Sequence, residues 1–205
     1  HPRVEAAWGS LEDGAIAAIR SPGTVVRPNG VIGVGLTVQH GFLWLQEGGG
    51  RIVACGDPRL HAQVYARIPL EDGSWSDSER MDWNDATALE KAGLCRIEGE
   101  CKPKIIVSGT DAQSETWIRF PIFGGSLFNN YIQGMARDVL VHGMQLAEAA
   151  GLEVNLHVHD EIAAEVWRGS ADVKWFEDLI CELPSWATGL PLKASGFLAK
   201  RYCKQ

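Results

Sequence analysis

The sequence lacks any apolar run of the roughly 20 residues that a membrane-spanning helix needs. Its first residues, His1-Pro2-Arg3, contain neither an initiating methionine nor a signal-like apolar segment. A chain of 205 residues with 45% apolar content can nevertheless bury a core of its own. We therefore expect a globular, cytoplasmic polypeptide with no membrane partner, cut from something longer.

Paired cysteines and an excess of basic charge are also missing. The five cysteines include no Cys-x-x-Cys pair, which disfavours both a disulfide framework and a zinc site. The formal net charge of −7 disfavours a protein that coats nucleic acid through general lysine and arginine excess. It does not exclude a metal-dependent phosphoryl-transfer site, because such a site itself concentrates carboxylates.

Hydrophobic patterning divides the chain into three regions. Residues 1–23 have the apolar spacing of a helix that stops at Ser21-Pro22-Gly23. Residues 24–122 read as a β-rich region, with a polar insertion from Glu71 to Glu90 that carries one short helix. The predicted strands of this region include Val31–Val34, Leu36–Val38, Phe42–Leu45, Arg51–Ala54, Lys104–Val107 and Thr116–Ile122.

Residues 123–205 have the best-defined pattern. A long helix is predicted up to Gly151, a plausible C-cap, and a shorter helix from Ala171 to Leu183. Leu190 to Phe197 reads as an extended strand. The apolar face of the long helix comprises Ile132, Met135, Ala136, Val139, Leu140, Gly143, Met144 and Ala147.

Between these helices, alternating apolar and polar residues predict a β-hairpin with Asp160 and Glu161 at its turn. Exposed carboxylates supported by a sheet suit a hard cation such as Mg²⁺, although an Asp-Glu pair can also be an ordinary polar turn. His157 and His159 share a strand face with Asn155, giving a polar surface opposite Val154, Leu156 and Val158. A transition-metal site built from His157, His159 and Asp160 is an alternative.

Gln133 and Arg137 lie one helical turn apart and are therefore surface neighbours. Their amide and guanidinium groups can grip a nucleic-acid strand. The alternative is an ordinary solvated helix face.

The segment from Gln133 to Leu140, followed by Leu156 to Ile162, resembles the palm helix and the catalytic motif C hairpin of family A DNA polymerases. Phage-type members are the most similar. The helix of residues 1–23 resembles the one that follows their fingers, and their pattern is also similar at Phe123-Gly124-Gly125, Leu190–Ala194 and Lys200-Arg201-Tyr202.

This resemblance implies an α+β fold, in which an antiparallel palm sheet carries the catalytic β-hairpin and helices pack on one face. Asp160 would ligate catalytic Mg²⁺, and Glu161 would assist at its edge. His159 would lie near the primer terminus, and Gln133 would contact the minor-groove side of the duplex. The implied nucleic-acid contacts are Gln133, Arg137, His159, Asn129 or Asn130, and His157.

The resemblance also implies partners: template-primer DNA, deoxynucleoside triphosphates (dNTP) and two Mg²⁺ ions. The sequence lacks motif A, which carries the second metal-binding aspartate, and the motif B helix of the fingers. We therefore expect the N-terminal remainder of the polymerase, covalent or separate, to be needed for activity. A non-catalytic DNA-binding or assembly subunit and a metal-dependent hydrolase that uses His157, His159 and Asp160 are the alternatives.

Overall fold

The structure is a computed structural model that describes residues 1–47, 50–111, 113–170 and 172–203. It confirms a mixed α+β fold with antiparallel strands. Backbone contacts divide it into two compact units, His1–Tyr131 and Ile132–Gln205. The division at residues 23 and 122 that we drew from the sequence pattern stays a prediction. No helix in the described ranges is long and apolar enough to cross a membrane.

The first unit begins with α1 (Pro2–Arg20), as predicted. The His1 side chain accepts a hydrogen bond from the backbone N–H of Arg3, and Ser21 closes the helix by donating to the Ala17 carbonyl. Such bonds satisfy backbone groups that a helix end leaves without partners. The buried residues Leu11, Gly14, Ala15, Ile16 and Ala18 form the stripe that faces the core.

A six-stranded antiparallel sheet forms most of this unit. Its strand order is β1-β2-β3-β5-β6, and β4 pairs with β3 beside that path. The predicted meander is present except at Val31–Val34, which contains a turn instead of a strand. The strands predicted at Lys104–Val107 and Thr116–Ile122 both form. Ala112, between these two strands in the sequence, lies outside the described residues. The strands are β1 (Gly35–Gln39), β2 (Phe42–Gln46), β3 (Ile52–Arg67), β4 (Glu79–Asp82), β5 (Arg96–Thr110) and β6 (Trp117–Ile122).

The main core lies on one face of this sheet, where α1 packs. Residues that alternate along the strands point to that face, and they are almost fully buried. The sheet contributes Leu36, Leu43, Leu45, Ile105 and Val107, and α1 contributes Leu11 and Ala15.

The polar insertion is more ordered than its composition suggested. The short helix predicted there is α2 (Trp83–Lys91). Asp82 is its N-cap, and the Asp82 side chain accepts a hydrogen bond from the backbone N–H of Asn84. Residues 79–82, expected in a surface loop, instead form β4. A second small core explains this order, since Val64, Ala66, Ala86 and Cys95 are buried together.

The long helix is α3 (Gly124–Ala149), and the boundary between the two units falls within it. Gly151 follows its end with a φ of +86°, and the backbone N–H of Leu152 donates to the Ala147 carbonyl. This is the Schellman arrangement, which confirms Gly151 as the helix-terminating residue. Two residues of the predicted apolar face, Ile132 and Ala136, are exposed.

The last elements differ from the prediction in length and type. The final helix, α4 (Val173–Ile180), is shorter than predicted and starts after Asp172, whose carboxylate caps the Trp175 N–H. The predicted first residue, Ala171, lies outside the described residues. Residues 190–197 do not form the predicted strand. Among the described residues no strand pairs with this tail. One backbone contact holds it, since the Gly196 N–H donates to Glu177 Oε1 at 2.7 Å.

Candidate active site

The predicted hairpin is formed by β7 (Glu153–Val158) and β8 (Glu161–Glu165), which pair antiparallel. Val158 faces Glu161 directly, so the connection is a loop of only two residues, His159 and Asp160. The two strands form a sheet of their own, whereas we expected a larger sheet to include them. Within the described part of the chain, both outer edges of this hairpin are therefore unpaired.

The backbone of the hairpin loop is strained. His159 has a φ of +54°, whereas Asp160 is not among the described residues with positive φ. A two-residue loop with positive φ at its first position alone matches the φ pattern of type II′ turns, which ordinarily place glycine there. A side chain held in such a conformation costs on the order of 1–3 kcal/mol, and strain of this kind clusters at functional sites.

A β-bulge interrupts β7 at Asn155. Val154 pairs with Ala164 and Leu156 pairs with Ala163, so Asn155 is an additional residue on one strand. The predicted alternation is therefore wrong: Leu156 is 40% exposed instead of joining Val154 and Val158 in the half-buried set. The alternation of residue types did not reveal the extra residue, because the hydrophobic period continues through it.

The bulge borders an open depression of about 230 Å³. Met144 of α3 lines one side, and the β7 residues from Val154 to His157 line the other. His157 is thus the predicted site residue that the structure places in a concave surface. The lining mixes an imidazole and an amide with apolar side chains.

The two acidic residues of the turn differ in their contacts. Asp160 is exposed, and no hydrogen bond or ion pair joins its side chain to another described residue. Glu161 Oε2 accepts a hydrogen bond of 2.6 Å from the Tyr202 hydroxyl. That hydrogen bond to Glu161 raises the pKa of Tyr202 above its ordinary value.

Tyr202 is a site residue whose contact the sequence did not predict. It lies 41 positions after Glu161, and no local pattern links the two. The only signal was its place in a C-terminal segment that resembles the phage-type polymerases.

The predicted strand-binding residues lie along α3. Gln133 and Arg137 are exposed and one turn apart in the second unit. Asn129, which is exposed, and Asn130, which is half-buried, belong to the first unit. The assignment of these residues to nucleic-acid contacts stays a prediction.

No group of three or more His, Cys, Asp or Glu side chains among the described residues could hold a metal ion. The alternative of a hydrolase site made from His157, His159 and Asp160 is therefore not supported. The residues present do not fit a complete Mg²⁺ centre either, since the turn offers one unengaged carboxylate and another that is bound to a hydroxyl. A metal ion held here would need ligands from outside the described residues.

Comparison with known proteins gives one informative relationship. The chain is 39% identical over 197 residues to a DNA polymerase of Bacillus phage SP02. The match covers 96% of this chain but 24% of that protein, so the chain spans about a quarter of its relative. No protein-family model matches the sequence, and no solved structure matches the fold. The chain is thus related to part of a phage protein named DNA polymerase.

Proposed function

We propose that this chain is the C-terminal palm portion of a family A, phage-type, DNA-directed DNA polymerase. The observation that carries the proposal is the exposed Asp160 at a strained two-residue turn, in a chain related to a phage DNA polymerase. A residue held in an unfavourable conformation at an exposed, charged turn suits a functional constraint better than a structural one.

The proposed reaction joins a primer to a dNTP. The primer 3′-hydroxyl loses its proton to solvent water, and its oxygen forms a bond to the α-phosphorus of the dNTP. The bond from that phosphorus to the bridging oxygen breaks, and pyrophosphate leaves. Asp160 is proposed to contribute one carboxylate to a Mg²⁺ centre. The other ligands, including the aspartate of motif A, would come from the N-terminal remainder of the polymerase. Among the described residues no other strand pairs with β7 or β8, so a strand of that remainder would have an edge to pair with.

We propose roles for the neighbours of Asp160 from their chemistry and their positions. The Tyr202 hydroxyl is a neutral donor, so it orients Glu161 without cancelling the negative charge of the turn. We assign His159 to the primer terminus because it adjoins Asp160 in the loop. Gln133 and Arg137 would hold the duplex through minor-groove and backbone contacts that accept any base sequence.

The decisive experiment is primer extension by the intact polymerase that contains this chain. Asp160→Asn keeps the size of the side chain and removes its charge. We expect extension to fall by about 1,000-fold or more, equivalent to about 4 kcal/mol in the barrier, without a change in thermal stability. Glu165→Gln, at the far end of β8, is the matched control and should extend normally. Normal extension by Asp160→Asn would remove this residue from the mechanism.

The second candidate is a non-catalytic DNA-binding or assembly subunit derived from a polymerase. The lack of a metal-binding group among the described residues favours it over an autonomous enzyme. In that case the intact assembly would bind template-primer DNA and extend it equally well with Asp160 or Asn at this position. Mg²⁺ affinity gives an independent readout: in the intact assembly, Asp160→Asn should lower it only if Asp160 joins the metal centre.

A further inference from the structure

The six-stranded sheet has a second face that the core does not use. Ile105 and Val107 are buried in the core, so the alternate residues of β5 lie on the opposite side, which we call the outer face. One row of paired residues crosses four strands there. It runs from β2 to β6 through Phe42, Gly56, Ser108 and Arg119.

Trp117 lies on the outer face beside this row. A Cβ atom added to Gly56 would come within 3.2 Å of Cζ2 of Trp117 and 3.5 Å of Cε1 of Phe42. The indole therefore packs where Gly56 has no side chain, yet 66% of Trp117 is exposed. Phe42, 37% exposed, reaches the same glycine from the other side. The result is a supported aromatic surface that is open to solvent.

Two guanidinium groups flank this aromatic surface. Asp57 occupies a bulge of β3 with a φ of +42°, and its carboxylate accepts hydrogen bonds from both Arg59 and Arg119. The hydrogen bond from Arg59 is the main reason that the pKa of Asp57 lies below its ordinary value. One carboxylate thus fixes two arginines, and each guanidinium has five N–H donors, so donors remain for another acceptor.

The charge of this patch is opposite to that of the chain. Lys104 lies on the same face as Ile106, which pairs with Arg59. Lys104 also pairs with His61, whose Nδ1 lies 4.0 Å from Oδ2 of Asp82, so the three cations lie near the carboxylates of Asp57 and Asp82. The whole chain has a formal net charge of −7. A local cationic patch around exposed aromatic rings in an acidic chain is complementary to a phosphate backbone with accessible bases.

We propose that the outer face, defined by Phe42, Trp117, Arg59, Arg119 and Lys104, binds single-stranded nucleic acid. Bases would stack on Trp117 and Phe42, and phosphates would contact the three cations. Stacking requires unpaired bases, so a single strand is favoured over a duplex, and it accepts any base because every base has a π-face. This inference goes beyond the proposed catalytic role and does not depend on Asp160.

The test measures binding of the full chain to a fluorescently labelled oligo(dT) of about 12 nucleotides, within the range of known single-strand sites. Fluorescence anisotropy in EDTA excludes any contribution from a metal centre. Trp117→Ala should weaken binding by about 10-fold, in keeping with the loss of one base–aromatic stack. Trp75→Ala is the matched control, since Trp75 is 42% exposed and lies in a turn of the same unit.

Two further variants keep the result interpretable. Trp117→Phe retains an aromatic ring and should bind within about 3-fold of the original chain. Arg119→Gln should weaken binding and lower the slope of log affinity against log salt by about one phosphate contact.

Three outcomes would overturn the proposal: no binding of oligo(dT), equal losses in Trp117→Ala and Trp75→Ala, or equal binding of a duplex. The last two would indicate a general surface, and the first would indicate that these side chains do not form a binding site. Primer extension tests the catalytic proposal separately, so the binding proposal and the catalytic proposal can each be contradicted without the other.

Discussion

The β1–β2 and β7–β8 hairpins have the same loop length but different backbone chemistry. Each loop has two residues and begins with a histidine at positive φ, His40 at +52° and His159 at +54°. In the first hairpin, Gly41 follows with a φ of +78°, which gives the type I′ pattern favoured by right-twisted strands. In the second, Asp160 occupies that place without positive φ. An acidic side chain thus replaces the residue that would relax the turn.

The two hairpins also differ in their support. Leu36, Leu43 and Leu45 of the β1–β2 hairpin are 0–1% exposed and belong to the main core. No residue of β7 or β8 is fully buried, and these strands have only each other as sheet neighbours among the described residues. A lone two-stranded hairpin is marginally stable in water. The β1–β2 hairpin therefore contributes to the main core, whereas the β7–β8 hairpin presents a charged turn and needs contacts outside the hairpin for its stability.

The largest expected difference between the hairpins is in hydrogen exchange. Backbone amides of β1 and β2 should open only with the main core, whereas those of β7 and β8 should open locally. We expect protection in β7–β8 to be at least about 100-fold lower, which corresponds to about 3 kcal/mol in opening free energy. Exchange measured by mass spectrometry on the isolated chain tests this. Equal protection would show that the second hairpin is held as firmly as the first.

The second residue of each loop provides the next test. Gly41→Ala should destabilise the chain by about 1–2 kcal/mol, because an L side chain is unfavourable at a φ of +78°. Nothing lies within 4 Å of the added Cβ, so the cost is conformational. Asp160→Gly should change the free energy of unfolding by less than about 1 kcal/mol, since its φ is not positive. Urea denaturation measures both, and equal losses would contradict the assigned turn types.

The first residue of each loop gives a smaller contrast. His159→Gly should stabilise the β7–β8 hairpin by about 1 kcal/mol through relief of strain, after subtraction of the entropy that glycine adds to the unfolded chain. His40→Gly should change stability by less than about 0.5 kcal/mol, because histidine tolerates the left-handed region of a type I′ turn better. Hydrogen exchange of each hairpin is the measurement. If His159→Gly weakens its hairpin, the loop is not strained.

Local patterns predicted most of the regular elements. The helical spacing of α1, the end of α3 at Gly151 and the alternation of β7 and β8 all arise from interactions between residues close in sequence. The bulge at Asn155 escaped notice because an extra residue does not alter which residue types are apolar. Strand β4 was missed as well, because it depends on pairing with Val64 and its neighbours in β3, which are distant in the sequence.

The candidate site was predictable only in part. The hairpin pattern and the resemblance to a polymerase motif identified Asp160 and Glu161 as candidates. Neither predicted that the two residues would have different contacts. The bond from Tyr202 joins residues 41 positions apart, and the strain at His159 is a backbone property. The exposure of Ile132 and Ala136 departs from the helical stripe because periodicity predicts which residues share a face and does not say what covers it.

The smallest expected effect concerns Tyr202, whose hydroxyl donates a hydrogen bond to Glu161 beside the turn of the β7–β8 hairpin. Since the bond to Glu161 raises the pKa of Tyr202, it stabilises the folded chain fully below the unfolded value, near 10.0, and is lost as pH rises through the folded pKa. Tyr202→Phe should therefore leave thermal unfolding unchanged at alkaline pH and alter it only slightly at neutral pH. Tyrosinate absorbance, taken as the difference between the original chain and Tyr202→Phe, should show a midpoint above 10.0. In Glu161→Gln the same midpoint should move down toward the ordinary value, because an uncharged amide no longer opposes ionisation of the hydroxyl. If the titration midpoint of Tyr202 is the same in Glu161→Gln as in the original chain, the Tyr202 hydroxyl does not bind Glu161.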